Sequence, residues 1–191
     1  MYPFIRMAKE RVVNRSKQSI SVGEIHESYH ICWPWDLDFW FELNNGRALT
    51  LYDLGRIPFS GKSGFSKVIF KNKWSMTMAG ANVRYRKRLR AFERIRRQTR
   101  TVCWDERFLY IEQSMWNTKK ECAGHIVYRA AFVGADGIIN PQRIFDEIEK
   151  NLLSPKMPDW LSVWVNSENK RPWPPMQEYL ALIFWNLFYY P

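Results

Sequence analysis

Three carboxylates stand immediately ahead of a predicted helix start in this sequence. Asp36, Asp38 and Glu42 precede the run LNNGRALTLYDLGRIP, in which Asn44 or Asn45 can cap a helix. Unpaired amides at a helix start, together with the helix dipole, stabilise a carboxylate and can also stabilise an oxyanion. An ionised carboxylate there can act as a nucleophile or as a general base toward water. Capping of the helix by Asp36 or Asp38 is the commoner role of such acids and remains the alternative.

A second group with chemical potential is strongly basic. Two sets of arginines follow one another: Arg84, Arg86, Arg88 and Arg90, then Arg94, Arg96, Arg97 and Arg100. Alternation along a strand puts the first set in a row on one sheet face, which the second set could continue on the neighbouring strand. Such a row would attract nucleic acid. A solvated outer sheet face with cross-strand pairing to acids is the commoner explanation.

Hydrophobic periodicity predicts the elements that position these residues. A weakly helical segment covers residues 2–13, and a strand over residues 23–35 carries Ile25, Tyr29, Ile31 and Trp33 at one parity. The spacing of apolar residues predicts a helix over 45–57, which Pro58 should end. The cluster FSGKSGF over residues 59–65 is then expected to form a loop, with geometry suited to contact a phosphate.

The second half of the chain favours strands. Residues 67–134 are rich in β-branched and aromatic side chains and predict four or five strands in an antiparallel meander. A short amphipathic helix is predicted over 141–152. We therefore expect an α+β fold in one domain, residues 1–153, followed by a proline- and aromatic-rich extension, residues 154–191, packed on the domain or on a partner subunit.

Composition limits the function classes. The chain has 191 residues, of which 46% are hydrophobic, and a net charge of +10 that should attract anions such as nucleic acid, acidic membranes or phosphorylated molecules. Cys32, Cys103 and Cys122 form no CxxC pair, which indicates free thiols in a reducing compartment. The histidines are scattered, so we predict neither a metal site nor a cofactor.

The termini complete these expectations. The start MYPFIRMAKERVVNR lacks the order of charge and apolar core that signal peptides show, so we expect a cytoplasmic protein. The apolar stretch 179–190 is shorter than the ~20 residues that span a bilayer. A buried or interface helix is the favoured interpretation, and peripheral membrane contact is the alternative.

The run from Asp36 to Arg56 resembles the hotdog-fold acyl-CoA thioesterases of the 4-hydroxybenzoyl-CoA thioesterase type. Their motif is an Asp, a stretch ending in Asn-Asn, a small residue, Arg and then a hydrophobic helix. The wider stretch over residues 29–132, including VCWDERFLYIEQ, is similar to the thioesterase superfamily member 6 group. The resemblance implies a long curved antiparallel sheet wrapped around a central helix, in homodimers or higher homo-oligomers with active sites between subunits.

The resemblance also implies roles for individual residues. Asp38 matches the catalytic aspartate, and Asn45 stands where the relatives' backbone N–H points at the thioester carbonyl. Glu42 replaces a histidine of several relatives. If the Asp38 and Glu42 carboxylates lie close together, they would repel each other and one of them would tend to hold a proton. We count Asp38, Asn45 and Glu42 as catalytic candidates. The substrate-binding candidates are Asn44, Arg47, Tyr52, Lys62 and Arg84.

Three functions are therefore open. The first is hydrolysis of an acyl-CoA or other acyl thioester, with Asp38 attacking or activating water and the Asn45 amide holding the oxyanion. One or two of the arginines, with Lys62, could then hold the phosphates of CoA. The second is a non-catalytic hotdog module that binds an acyl thioester or a protein partner, because Glu42 replaces His. Nucleic-acid binding is the third and the least favoured.

Overall fold

A six-stranded antiparallel sheet forms the body of the protein in the computed structural model, which describes residues 3–14 and 19–176. The strands are β1 (His26–Ile31), β2 (Ser75–Tyr85), β3 (Arg94–Trp104), β4 (Leu109–Trp116), β5 (Cys122–Gly134) and β6 (Gly137–Ile139). They pair in the order β1-β3-β4-β5-β2, and β6 adds to β5. Only β3, β4 and β5 form the predicted meander, because β2 lies beyond β5 instead of beside β3.

Five helices accompany this sheet in the described ranges. They are α1 (Phe4–Asn14), α2 (Asn45–Lys62), α3 (Phe65–Lys71), α4 (Gln142–Ile148) and α5 (Asp159–Lys170), with one 3-10 turn at Pro34–Asp36. Leu51, Leu54 and Phe59 of α2 share one apolar core with Ile111 of β4 and Ile126 of β5. A curled antiparallel sheet around a central helix confirms the predicted α+β hotdog class.

The central helix is longer than predicted. The proline that was expected to end it, Pro58, lies inside α2, which continues to Lys62. Phe59, one residue later, is buried and packs edge-on against Phe65, with ring centroids 5.9 Å apart. The burial of these rings outweighs the one backbone hydrogen bond that a proline removes from a helix. The predicted loop over 59–65 is therefore wrong for most of its length.

Two further boundaries differ from the prediction. Residues 67–71, expected in a strand, belong to α3, where Val68 and Ile69 are buried at helical spacing beside Phe65. The helix predicted over 141–152 ends at Ile148, and the extended backbone of Glu149 follows it. In both places a short apolar run fits the periodicity of a helix and of a strand, and tertiary packing decides which structure forms.

The predicted arginine row does not form. Strand β2 ends at Tyr85, so Arg86, Arg88 and Arg90 lie on the connection to β3. That connection is anchored by Leu89, which is buried and accepts a hydrogen bond from the Leu43 amide at 2.9 Å. Strands β2 and β3 are also separated by β5 and β4, so the two arginine sets are not on neighbouring strands.

The inner face of β1 is polar. His26, Ser28 and His30 are buried, whereas the apolar parity that includes Tyr29 and Ile31 is exposed. Buried ion pairs from α1 complete this polar region. Glu10 Oε1 lies 2.7 Å from Arg97 Nη2, and Arg6 Nη1 lies 2.9 Å from Asp36 Oδ1.

The chain divides into two compact units, Met1–Lys156 and Met157–Pro191. The predicted boundary after residue 153 lies close to this division. The second unit contains α5, and the predicted aromatic tail, 179–190, lies outside the described residues. Within the described ranges, no helix combines the length and the apolar character that a membrane crossing needs. All three cysteines are free.

Candidate active site

The loop that leads into α2 is anchored by Asp36. The Asp36 carboxylate is buried and accepts hydrogen bonds from Arg6 Nη1 at 2.9 and 3.0 Å and from the Trp33 amide at 3.0 Å. Arg47 Nε lies 3.5 Å away, and the Asp36 carbonyl accepts the Asn44 amide at 2.9 Å. With its oxygens engaged in this way, Asp36 holds the loop and the helix start together.

Asp38 and Glu42 stand at the two ends of the next, tight turn. The Asp38 amide donates to the Glu42 carbonyl at 2.9 Å, and Leu37 and Leu43 form an isolated bridge behind it. Asp38 Oδ1 accepts the Trp40 amide at 2.8 Å. No hydrogen bond from the described part of the chain reaches Oδ2, so one oxygen is oriented and the other is available.

The first turn of α2 offers one free amide. Asn44 Oδ1 accepts hydrogen bonds from the amides of Gly46 at 2.9 Å and Arg47 at 3.2 Å. The Asn44 backbone carbonyl accepts the amide of Ala48 at 2.8 Å. Among the described residues, the Asn45 amide is left without an acceptor. A free N–H at the positive end of a helix dipole is suited to hold an oxyanion.

A cavity of about 200 Å³ opens beside this helix start. Its walls come from the α2 face, the end of β2, the following connection and the neighbouring strands. The lining residues are Glu42, Leu43, Asn45, Ala48, Tyr52, Tyr85, Arg86, Lys87, Arg88, Leu89, Met115, Ala123 and Gly124. A cavity of about 150 Å³ holds one benzene ring, so this one suits a short chain or a single ring.

One buried hydroxyl faces the cavity without a partner. Tyr52 is fully buried, and its Oη makes no hydrogen bond within the described residues. Burial raises the pKa of Tyr52 above its ordinary value, so the hydroxyl keeps its proton and can donate it. Gly124 gives this hydroxyl room, since a Cβ at that position would lie 2.8 Å from Tyr52 Oη.

Cations rim the cavity. Arg86, Lys87 and Arg88 are exposed, and the amides of Arg86 and Lys87 donate to the Ala123 carbonyl at 2.8 and 3.1 Å. Arg88 Nε lies 2.7 Å from Glu42 Oε2. The second carboxylate therefore has its own counter-ion at the cavity.

Comparison with known proteins assigns the chain to one family. Residues 32–165 match the thioesterase-like superfamily, and this match spans more than half of the chain. The chain belongs to the thioesterase-like superfamily. It is 30% identical over 141 residues to Protein THEM6 of Xenopus laevis, covering 73% of this chain and 67% of that protein. Protein THEM6 of Drosophila melanogaster is 21% identical over 140 residues, covering 73% and 71%.

Solved structures share the thioesterase-like fold. A probable thioesterase, YbaW of Escherichia coli, superposes with a TM-score of 0.60 at 10% identity, covering 65% of this chain and 96% of that one. The DHNA-CoA thioesterase of Staphylococcus aureus superposes with a TM-score of 0.56 at 14% identity, covering 78% and 93%. At these identities the likeness concerns the fold.

Within this thioesterase-like fold, some of the residues predicted from the sequence come together and others do not. Glu42, Asn45 and Tyr52 line the cavity. Asp38 is not among the lining residues and stands at the other end of the turn that leads to Glu42. Asn44 and Arg47 are also close: Asn44 caps α2, and Arg47 faces Asp36. This geometry indicates that Asn44 and Arg47 position the loop and the helix start rather than contact a substrate.

Two predicted binding residues lie elsewhere. Lys62 was expected on a flexible loop, but it belongs to the last turn of α2, at the far end of that helix from the cavity, with Nζ 3.3 Å from His26 Nδ1. Arg84 is exposed on β2, opposite His125 in the ladder, and does not line the cavity. A helix that continues past Pro58 removes the loop on which the Lys62 prediction depended.

The cavity also contains residues that sequence reasoning did not single out. Tyr85 donates through its hydroxyl to the Asn45 carbonyl at 3.4 Å, and Gly124 and Met115 come from β5 and β4. No local pattern marks these residues, because the pairing of distant strands brings them to α2. In the described ranges, no three His, Cys, Asp or Glu side chains converge to hold a metal ion.

Proposed function

We propose that the protein hydrolyses acyl thioesters at the cavity beside the start of α2. The observation that carries this proposal is the unengaged Asn45 amide, which stands at the cavity next to the turn of Asp38 and Glu42. A thioester is already activated, so one polarising N–H, one base and a dry pocket are sufficient for its hydrolysis.

The reaction uses the Asn45 amide and the Asp38 carboxylate. Asp38 Oδ2 takes a proton from water while the water oxygen attacks the thioester carbonyl carbon, and the Asn45 N–H holds the developing oxyanion. The carbon–sulfur bond then breaks, the acid is released, and the thiolate leaves and takes up a proton. Direct attack by Asp38 is the alternative: a carboxylate oxygen bonds the carbonyl carbon, the thiolate leaves, and water then hydrolyses the mixed anhydride. Heavy oxygen in Asp38 after a single turnover in heavy-oxygen water shows this route, with water opening the anhydride at the Asp38 carbonyl, because general-base catalysis labels only the product acid.

Arg88 gives Glu42 a positioning role in this scheme. Because Arg88 Nε lies 2.7 Å from Glu42 Oε2, the pair fixes the far end of the turn that presents Asp38. Arg88 thereby compensates the negative charge of Glu42 beside the proposed base, Asp38. Glu42 can then replace the histidine of several relatives without leaving an unpaired carboxylate at the cavity.

The cationic rim suits a thiol carrier with phosphate groups. Arg86, Lys87 and Arg88 line the cavity, and all three are exposed at its rim. One protein of similar fold, from Staphylococcus aureus, was solved in complex with CoA, with a TM-score of 0.54 at 10% identity. We propose CoA esters as substrates, with the acyl group in the cavity, near the Tyr52 hydroxyl, and the phosphates on this rim.

We also propose a homodimer that forms at the free edge of β2. This strand has 11 residues and pairs only with β5 within the described chain, so its outer edge presents unpaired backbone groups. A groove of about 680 Å³, lined in part by Ile57, Met76 and Met78, lies beside that edge. A second copy would cover both features. Light scattering should report twice the mass of the chain.

The decisive test is thiol release from a panel of short, long and aromatic acyl-CoAs. Asp38→Asn should lower turnover at least 100-fold, the usual scale for a lost general base, while leaving the fold intact by circular dichroism. Glu42→Gln should lower turnover less. Asp136→Asn, an exposed carboxylate on the turn before β6, is the matched control and should match wild type. Release that is unaffected by Asp38→Asn refutes the mechanism.

The panel also tests the alternative function. A protein that binds CoA esters but leaves all of them intact is the non-catalytic binding module. The replacement of histidine by Glu42 favours that second candidate, and Glu42→His is its test. Gain of thiol release by this variant would show that the module lost its activity at this position.

A further inference from the structure

Exposed aromatic residues stand on the two segments that supply Glu42 and Arg88 to the cavity. Five of them are mostly exposed: Phe41 is 78% exposed, Phe39 77%, Trp40 69%, Phe92 67% and Trp35 62%. The rings associate laterally, since Trp33 stacks on Trp35 at 5.2 Å, Trp33 meets Phe92 edge-on at 6.1 Å, and Phe39 contacts Trp40 at 4.7 Å. We call these six residues the aromatic surface.

The backbone at two of these positions is strained. Phe41 has φ of 58° and Phe92 has φ of 65°, in the left-handed region that bulky residues rarely adopt. Such a conformation costs about 1–3 kcal/mol and tends to persist at functional sites. Both residues hold a large apolar side chain mostly in solvent, so little burial within this chain offsets the strain.

The surroundings of the aromatic surface are cationic. Arg6, which pairs with Asp36, lies over the Trp35 ring at 5.8 Å. Arg88 and Arg90 are exposed on the connection that carries Phe92, and Arg94 is exposed at the start of β3. Arg88 pairs with Glu42, and the Arg90 and Arg94 side chains make no ion pair with a described residue, although Arg94 lies over the Tyr29 ring at 4.4 Å. Exposed Trp and Phe side chains among Arg and Lys are typical of surfaces that settle into the headgroup region of a bilayer.

We propose that the aromatic surface docks the protein on an anionic membrane surface. Charge indicates what this surface binds. In a bilayer that contains acidic lipids, the headgroups neutralise the arginines, and the region where headgroups meet acyl chains accepts the aromatic rings. A second copy meeting this surface face to face would instead bring the same arginines against each other. The proposal concerns binding and does not depend on hydrolysis.

Docking would place the cavity opening at the lipid surface. The two segments that carry the aromatic surface also supply Glu42, Leu43 and Arg88 to the cavity, and the Leu43 amide bonds the Leu89 carbonyl at 2.9 Å. Docking through these segments would bring the Arg88 side of the cavity close to the lipid headgroups.

The test is co-sedimentation of the full chain with vesicles of phosphatidylcholine alone or with about one third phosphatidylserine. We expect binding only to the acidic vesicles and its loss at high salt. The paired change Trp40→Ala with Phe41→Ala should weaken binding about tenfold. Arg90→Glu should weaken it at least fivefold, from the loss of one cation near the surface.

Controls keep the outcome decisive. Leu153→Ala removes an apolar side chain of matched exposure, 79%, outside the aromatic surface, and should leave vesicle binding unchanged. Each variant is checked by circular dichroism and light scattering, and Trp35→Ala replaces the paired change if that one fails to fold. The proposal is overturned if Leu153→Ala weakens binding as much as the aromatic variants do, or if the aromatic variants bind like wild type. Loss of the dimer with the aromatic variants would assign the surface to protein association and overturn it as well.

Discussion

Replacement of the buried His30 should change how stability depends on pH. Burial, followed by the positive charges of Arg97 and Arg6, lowers the pKa of His30 to about 3, and Asp36, with Oδ2 4.0 Å from His30 Nε2, compensates only in part. Lys9 adds a further positive charge nearby. The folded protein therefore holds this imidazole neutral, whereas the unfolded chain protonates it near pH 6.5.

The sign and magnitude follow from proton linkage. Between pH 6.5 and about 3 the unfolded state binds one more proton at His30 than the folded state, so stability falls as pH falls. Each pH unit well inside this window costs about 1.4 kcal/mol. From pH 7 to pH 5 the loss due to His30 should be about 2 kcal/mol, equivalent to a fall of about 4–8 °C in Tm for a chain of this size.

The assay is urea unfolding of wild type and His30→Gln at a series of pH values from 7 to 5. The glutamine does not titrate, so the free energy of unfolding of the variant should fall by about 2 kcal/mol less over this interval than that of wild type. Other titrating groups are shared by both proteins and cancel in the difference. Parallel curves would refute the claim that His30 is held neutral by burial.

Three other changes test separate parts of the fold. Glu10→Ala leaves the buried Arg97 guanidinium without its 2.7 Å partner and should cost about 3–5 kcal/mol in urea unfolding, while Glu10→Leu with Arg97→Met should recover most of it. Gly124→Ala brings a Cβ to 2.8 Å from Tyr52 Oη and should lower thiol release from cavity-filling acyl-CoAs about tenfold, with acetyl-CoA less affected. Gly64→Ala, at φ +85°, should cost about 1–2 kcal/mol by the same unfolding measurement, and an unchanged midpoint would contradict the strain.

The sequence predicts those parts of the fold and site that one element determines by itself. The start of α2 follows from the capping of Asn44, and Glu42, Asn45 and Tyr52 reach one cavity because a turn and two helical turns connect them. The end of α2 could not be predicted from local signals. Pro58 and the glycines after it suggest a break, and only the distant packing partners of Phe59 keep the helix intact.

The inner face of β1 was unpredictable for a related reason. Alternation indicated an apolar side, yet the chain buries His26, Ser28 and His30 and exposes Tyr29. The buried polar side faces charged groups outside the strand, among them Arg6 of α1 and Arg97 of β3, which both act on His30. The pattern of the strand alone therefore points the wrong way.

The same charged contacts connect α1 to the chemistry of the site. Arg6 of α1 donates to both oxygens of Asp36, and the Asp36 carbonyl accepts the amide of Asn44, the residue that caps α2. Asp36 also lies 3.5 Å from Arg47 in the first turn of α2. Without α1, a buried carboxylate would lose its bidentate partner at the point where the loop meets the helix. The position of the Asn45 amide, and with it the proposed oxyanion site, therefore depends on a helix that supplies no residue to the cavity wall.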